Sequence, residues 1–109
     1  MFKVGQRVHN NKEGYFCKID NIGDDNTTWV THDDGVDALV LVKDLHETAD
    51  DMFEALGFGF DNNIYGSDKV EMMFKNGQYI FAYFSGEKLF IDKQLHLAIH
   101  QKLVELGWV

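Results

Sequence analysis

Hydrophobic and polar positions alternate with a period of two through much of this chain, and the period lengthens in two places. Val4-Gly5-Gln6-Arg7-Val8-His9 alternates and then breaks at Asn10-Asn11-Lys12-Glu13-Gly14. Tyr15 to Ile22 is a second strand-like run, closed by Gly23-Asp24-Asp25-Asn26. Thr27-Thr28-Trp29-Val30-Thr31-His32 has the β-branched and aromatic character of a strand, and Asp33-Asp34-Gly35 after it signals a reversal. Val36 to Val42 then places Val36, Ala38, Val40 and Val42 on one face and Asp37, Leu39 and Leu41 on the other. Short strands at this regular spacing predict a small barrel or a strongly curved meander.

The first change of period comes at Thr48, which can cap a short helix with Asp51 three residues on; Met52, Phe53 and Leu56 give its apolar stripe and Gly57 its end. Phe58-Gly59-Phe60 leads into Asp61-Asn62-Asn63, read as a turn-rich segment. Alternation returns in Val70 to Lys75, Asn76-Gly77 is a strong two-residue hairpin signal, and Gln78 to Phe84 is the return strand. Ser85-Gly86-Glu87 turns into a further strand over Lys88 to Ile91, completing a three-stranded antiparallel meander. Asp92 then caps a helix over about Lys93 to Leu106, ended by Gly107, with Leu95, Ile99, Leu103 and Leu106 as the stripe that packs on the sheet. The predicted class is α+β: a small antiparallel β unit over residues 1–47, then an α-β-β-β-α unit over 48–109. Each half is small enough to be marginal alone, which leaves a shared core open.

Two resemblances accompany this reading. Val4-Gly5-Gln6-Arg7-Val8, Glu13-Gly14, Trp29-Val30-Thr31, Asp33-Asp34-Gly35 and Lys43-Asp44-Leu45 resemble the small SH3-like barrels of KOW and Tudor type over roughly residues 1–47. Met52-Phe53-Glu54-Ala55-Leu56-Gly57-Phe58 and the stretch from Leu95 to Trp108, notably Glu105-Leu106-Gly107-Trp108, resemble short uncharacterised proteins of phages and prophages of low-GC Gram-positive bacteria. The first resemblance implies a binding scaffold. The second implies a bacterial context and carries no activity with it.

Composition narrows the classes. The 109 residues are 45% hydrophobic and 14% aromatic, enough for a core and unlike a disordered chain. No run approaches the roughly 18 apolar residues of a membrane span, and no signal peptide precedes the first strand, so the expected place is the cytoplasm of a bacterial host. With 18 acidic against 10 basic residues the net charge is −8, which argues against a counterion-release grip on nucleic acid. The charge is spread evenly, five basic against nine acidic residues on each side of Thr48. An acidic DNA mimic would need its acids aligned on one stripe.

Little in the sequence points to catalysis. His96 and His100 are spaced to present two imidazoles to one metal, with His32, Asp33 and Asp34 as further ligands by type alone; Leu97 stands where the metalloprotease motif needs Glu. The competing reading packs both histidines at the border of the buried arc. Cys17, the single cysteine, lies in a strand-like run and reads as a small core residue, with a nucleophile paired to His9 or His32 as the sharper alternative. Gly57-Phe58-Gly59 precedes a strand signal and fails as a dinucleotide loop. No cofactor is expected. The aromatics are the surplus: Tyr15, Phe16 and Trp29 could cluster in the first half, and Tyr79, Phe81 and Tyr83 share one face of a strand whose other face, Ile80, Ala82 and Phe84, is also apolar. The first expectation is therefore a non-catalytic module that binds a protein partner through Trp29 or through Tyr79, Phe81 and Tyr83, with a homodimer as one form. The second is an acidic inhibitor of a host nucleic-acid-binding factor, of anti-CRISPR or anti-restriction type. The third, resting on His96 and His100, is a small metal-dependent enzyme.

Overall fold

Turn chemistry fixes where the strands begin and end. The structure, a computed structural model, describes every residue except Met1, Asp24, Asp25, Asn62, Lys69 and residues 87–90. The fold is α+β, with two antiparallel sheets of five and four strands and two helices among the described residues. It divides into two compact units, the first holding Met1–Thr48 with Val104–Gly107 and Val109, the second Ala49–Leu103 with Trp108. Among the described residues no helix is long and apolar enough to cross a membrane.

The first unit contains β1 (Arg7–Asn10), β2 (Tyr15–Ile22), β3 (Thr27–His32), β4 (Asp37–Leu41) and β5 (Leu45–Glu47), in the order β4-β3-β2-β1-β5. The first strand starts later than the alternation suggests. Gly5 takes φ +88° and donates its N–H to the Ile19 carbonyl at 2.7 Å, a conformation that L side chains resist. Asn10, expected in the turn, is the last residue of β1 and is buried. Its Oδ1 accepts the N–H groups of Lys12 and Glu13 at 3.1 and 3.0 Å and so builds the turn it precedes. Asp33-Asp34-Gly35 reverses the chain as expected: Gly35 donates to the His32 carbonyl at 2.8 Å, and the Asp34 carboxylate accepts the Val36 N–H at 3.0 Å. A single 3-10 turn, Val42–Asp44, then delivers β5, a strand the periodicity did not reveal, antiparallel to β1 with His46 opposite His9. The core is aliphatic, made of Val8, Cys17, Ile19, Val30 and Leu45 with Phe2, Ala38 and Val40 around them.

The second unit runs α1 (Ala49–Ala55), β6 (Gly59–Asp61), β7 (Ile64–Gly66), β8 (Val70–Lys75), β9 (Tyr79–Phe84) and α2 (Lys93–Glu105). Both helices stop at the expected glycines by the same device. Gly57 and Gly107, at φ +91° and +76°, donate to the carbonyls of Glu54 and Val104, while Phe58 and Trp108 donate to those of Phe53 and Leu103. Asp92 caps α2 through its Oδ1, which accepts the Leu95 N–H at 2.9 Å.

Two expectations change here, and a third lies mostly outside the described residues. The segment read as turn-rich is a hairpin: β6 and β7 pair Gly59 with Gly66, Phe60 with Tyr65 and Asp61 with Ile64, and the four-stranded order is β6-β7-β8-β9. The further strand expected over 88–91 falls, except for Ile91, outside the described residues, and Ile91 itself is exposed and in no strand. The loop after β8 has three residues, because Lys75 pairs with Tyr79; Gln78 donates to the Lys75 carbonyl at 2.9 Å and takes the left-handed position at φ 63°.

Aromatic residues dominate this second core. Phe53 stacks on Tyr65 at 4.1 Å, Phe74 meets both edge-on, and Ala49, Val70, Met72, Leu95 and Ala98 complete it. The buried face of α2 is Leu95, Ala98 and Gln101, so the expected stripe holds only at its start: Ile99 and Leu103 are half-buried and Leu106 is exposed. Small Ala98 lets the helix backbone approach the sheet and centres the buried face on itself. Trp108 packs as expected, half-buried, 6.3 Å from Phe74.

Candidate functional site

Register decides which face of the four-stranded sheet each residue occupies. Tyr65, Met72 and Ala82 form one row across β7, β8 and β9; Tyr65 and Met72 are buried on this face, Phe74 and Ile80 are half-buried on it, and Ala82 at the β9 edge is exposed. The opposite face therefore carries Asp61, Ile64, Met73 and Phe81 in one row and Gly59, Gly66, Glu71 and Tyr83 in the next, with Lys75 beside Tyr79. On this face Tyr79, Phe81 and Tyr83 are 57, 51 and 64% exposed. The three residues singled out in the sequence thus come together as a ridge along β9, backed by the half-buried Met73 and Ile64. Beside the ridge, the paired Gly59 and Gly66 leave an open depression of about 370 Å³, lined also by Asp61, Ile64 and Glu71. Lys75 and Glu71, directly opposite Tyr79 and Tyr83, put one charge of each sign beside the ridge.

That arrangement suits recognition. Each aromatic side chain can bury about 150–250 Å², so three half-open ones leave roughly 300 Å² of ring surface, at the low end of the largest apolar patch on a typical monomer. Tyrosine adds a hydroxyl at the rim of each contact and enters an interface with little rotamer entropy to lose.

Trp29 belongs to the first unit. It is 47% exposed, opposite Leu39 across the β3–β4 ladder, with Leu41 two pairs further along on the same face. It does not cluster with Tyr15 and Phe16. Those two are consecutive on β2 and point to opposite faces: Tyr15 stacks on His32 at 5.2 Å, while Phe16 meets His9 edge-on at 4.7 Å under the Arg7 guanidinium. Arg7 also holds Asp33 through two bonds of 2.9 and 3.0 Å. A cavity in the first unit, about 110 Å³ between Phe2, Ile19, Ile22, Thr28 and Val42, has room for roughly one side chain.

The chemical candidates separate. Cys17 is fully buried opposite His32, and its pKa is raised, first by burial and then by Asp33, with Arg7 pulling the other way. A thiol held protonated is a poor nucleophile. His9 is buried, with its Nδ1 2.7 Å from Asn11 Oδ1. His96 and His100 do not pack at the border of the buried arc; both are exposed on α2 with near-parallel rings 6.4 Å apart. No group of three His, Cys, Asp or Glu able to hold a metal gathers among the described residues. Sequence reading missed Tyr65, whose hydroxyl donates to Asp50 and whose ring lies 5.5 Å from Lys102 Nζ; a lone Tyr between two glycine-bearing turns gave no periodic signal. Comparison with protein-family models, curated proteins and solved structures finds no match to this chain.

Proposed function

We propose that this chain is a non-catalytic interaction module that binds a protein partner through the outer face of its four-stranded sheet. One observation carries the reading. Tyr79, Phe81 and Tyr83 stand more than half exposed on a face whose reverse already supplies the core of the unit, so folding alone does not account for them. The ridge offers aromatic anchors, the Gly59–Gly66 depression beside it accepts a projecting side chain, and Lys75 and Glu71 set orientation. In the first unit, a meander whose fifth strand returns to β1 supports an SH3-like scaffold, with Trp29 and Leu39 as its exposed apolar contact. The partner is a bacterial protein met in the cytoplasm during phage or prophage expression, a context resting on the resemblance of the C-terminal half.

The test is quantitative affinity capture from a lysate of a low-GC Gram-positive bacterium, run in parallel with the wild type and with a Tyr79→Ser/Phe81→Ser/Tyr83→Ser variant. The expected result is a protein retained by the wild type, lost with the variant, and held almost independently of salt. Equal retention by the variant would refute the reading. Steep weakening with salt would shift it to the acidic-inhibitor function.

A further inference from the structure

The two exposed histidines of α2 are unused by that function, and their geometry has a chemistry of its own. His96 and His100 lie one helical turn apart, both open to solvent, with ring centroids 6.4 Å apart and planes inclined by only 27°. A metal held at about 2.0–2.1 Å by an imidazole nitrogen sits about 3.2 Å from that ring's centroid, so two rings that share one ion at a nitrogen–metal–nitrogen angle of about 90–109° have centroids about 4.5–5.2 Å apart. The pair, at 6.4 Å, stands roughly 1–2 Å wider than that. Side-chain rotations at these two exposed positions bring the rings together and turn both nitrogens onto one ion. The helix holds the two Cα positions fixed, since Asp92 caps its start and Gly107 closes its end, so little backbone order is lost on binding.

We infer that His96 and His100 form a surface chelate for one divalent ion of the nickel, copper and zinc group. Imidazole nitrogen selects that end of the first-row series over magnesium or calcium, which take oxygen ligands. With two protein ligands and no third among the described residues, water fills the remaining positions. Such a site is open: it binds an ion reversibly and leaves coordination positions for a carboxylate or imidazole supplied from outside. The net charge of −8 raises the local concentration of cations around the chain.

Calorimetric titration of the untagged full chain with Ni²⁺ tests the inference. Saturation at one ion per chain is expected. Loss of an outer-shell partner of a metal site costs about 10–100-fold in affinity, so His96→Ala or His100→Ala, each removing a ligand itself, should weaken binding by at least tenfold. His46→Ala, which removes an exposed histidine of β5, should leave it unchanged. Binding that is absent below millimolar Ni²⁺, or that survives both α2 substitutions, overturns the site. A second readout needs no variant: on adding Zn²⁺, the imidazole nitrogen resonances that move in an NMR spectrum should be those of His96 and His100. Movement confined to other histidines, or none, contradicts the inference.

Discussion

The two sheets are built by the same antiparallel rules and spend their apolar residues differently. The five-stranded sheet puts aliphatic side chains inside, while its outer face mixes Arg7, Lys18, Thr31 and Asp37 with the exposed Trp29, Leu39 and Leu41. The four-stranded sheet packs Tyr65 and Phe74 with Phe53 of α1 into its core and still places Tyr79, Phe81, Tyr83 and Met73 on the other face. Aromatic residues beyond those a core needs are the ones on which the proposed binding face rests. Trp29 and Leu39 are the small counterpart of that surplus in the first unit.

The sharpest way to break this contrast is to truncate the same residue type on both faces. Phe53→Ala should cost about 3–5 kcal/mol in urea unfolding, whereas Phe81→Ala should cost less than about 1 kcal/mol. Equal costs would make the outer face part of the core. Next in size is the helix stop: Gly57→Ala forces an L side chain to φ +91° and should lower stability by about 1–2 kcal/mol, visible as a reduced melting temperature. In the first unit, Arg7→Ala removes an exposed ion pair with Asp33 and should change stability by less than about 1 kcal/mol, the Phe16 contact included. A larger loss would mean that the outer face of that sheet is held by Arg7.

The smallest effect is a pH slope. The folded state keeps the proton of Cys17 where the unfolded chain releases it, because the folded pKa is raised above the ordinary thiol value of 9.0. Its contribution is therefore constant well below pH 9.0, and stability falls as pH rises beyond it. Urea midpoints followed upward from neutral pH should decline less for Cys17→Ala than for the wild type. Identical slopes would contradict the burial of the thiol.

What the residues disclosed was local chemistry. The reversal at Asp33-Asp34-Gly35, the cap at Asp92 and the stops at Gly57 and Gly107 each depend on a few neighbouring side chains and one backbone conformation. Elements that exist only through distant pairing stayed hidden. Leu45–Glu47 is three residues long and is a strand because β1 is beside it; Gly59–Asp61 and Ile64–Gly66 are too short and too glycine-rich to show a period. The buried face of α2 was misjudged at its end for a related reason, since the sheet selects Ala98 and Gln101 over the larger Leu106. The candidate site was half legible: alternation placed Tyr79, Phe81 and Tyr83 together, but the Gly59–Gly66 depression beside them depended on a hairpin that no pattern announced.

The most direct measurement is site-specific photo-crosslinking. A photoreactive phenylalanine analogue is placed at Phe81 on the outer face of the four-stranded sheet, or at Leu39 beside Trp29, and the chain is mixed with the bacterial lysate. The expected result is one discrete protein adduct from position 81, suppressed by excess wild-type chain and absent after Tyr79→Ser/Tyr83→Ser. An adduct only from position 39, or none that the wild type suppresses, would contradict the assignment of the binding face.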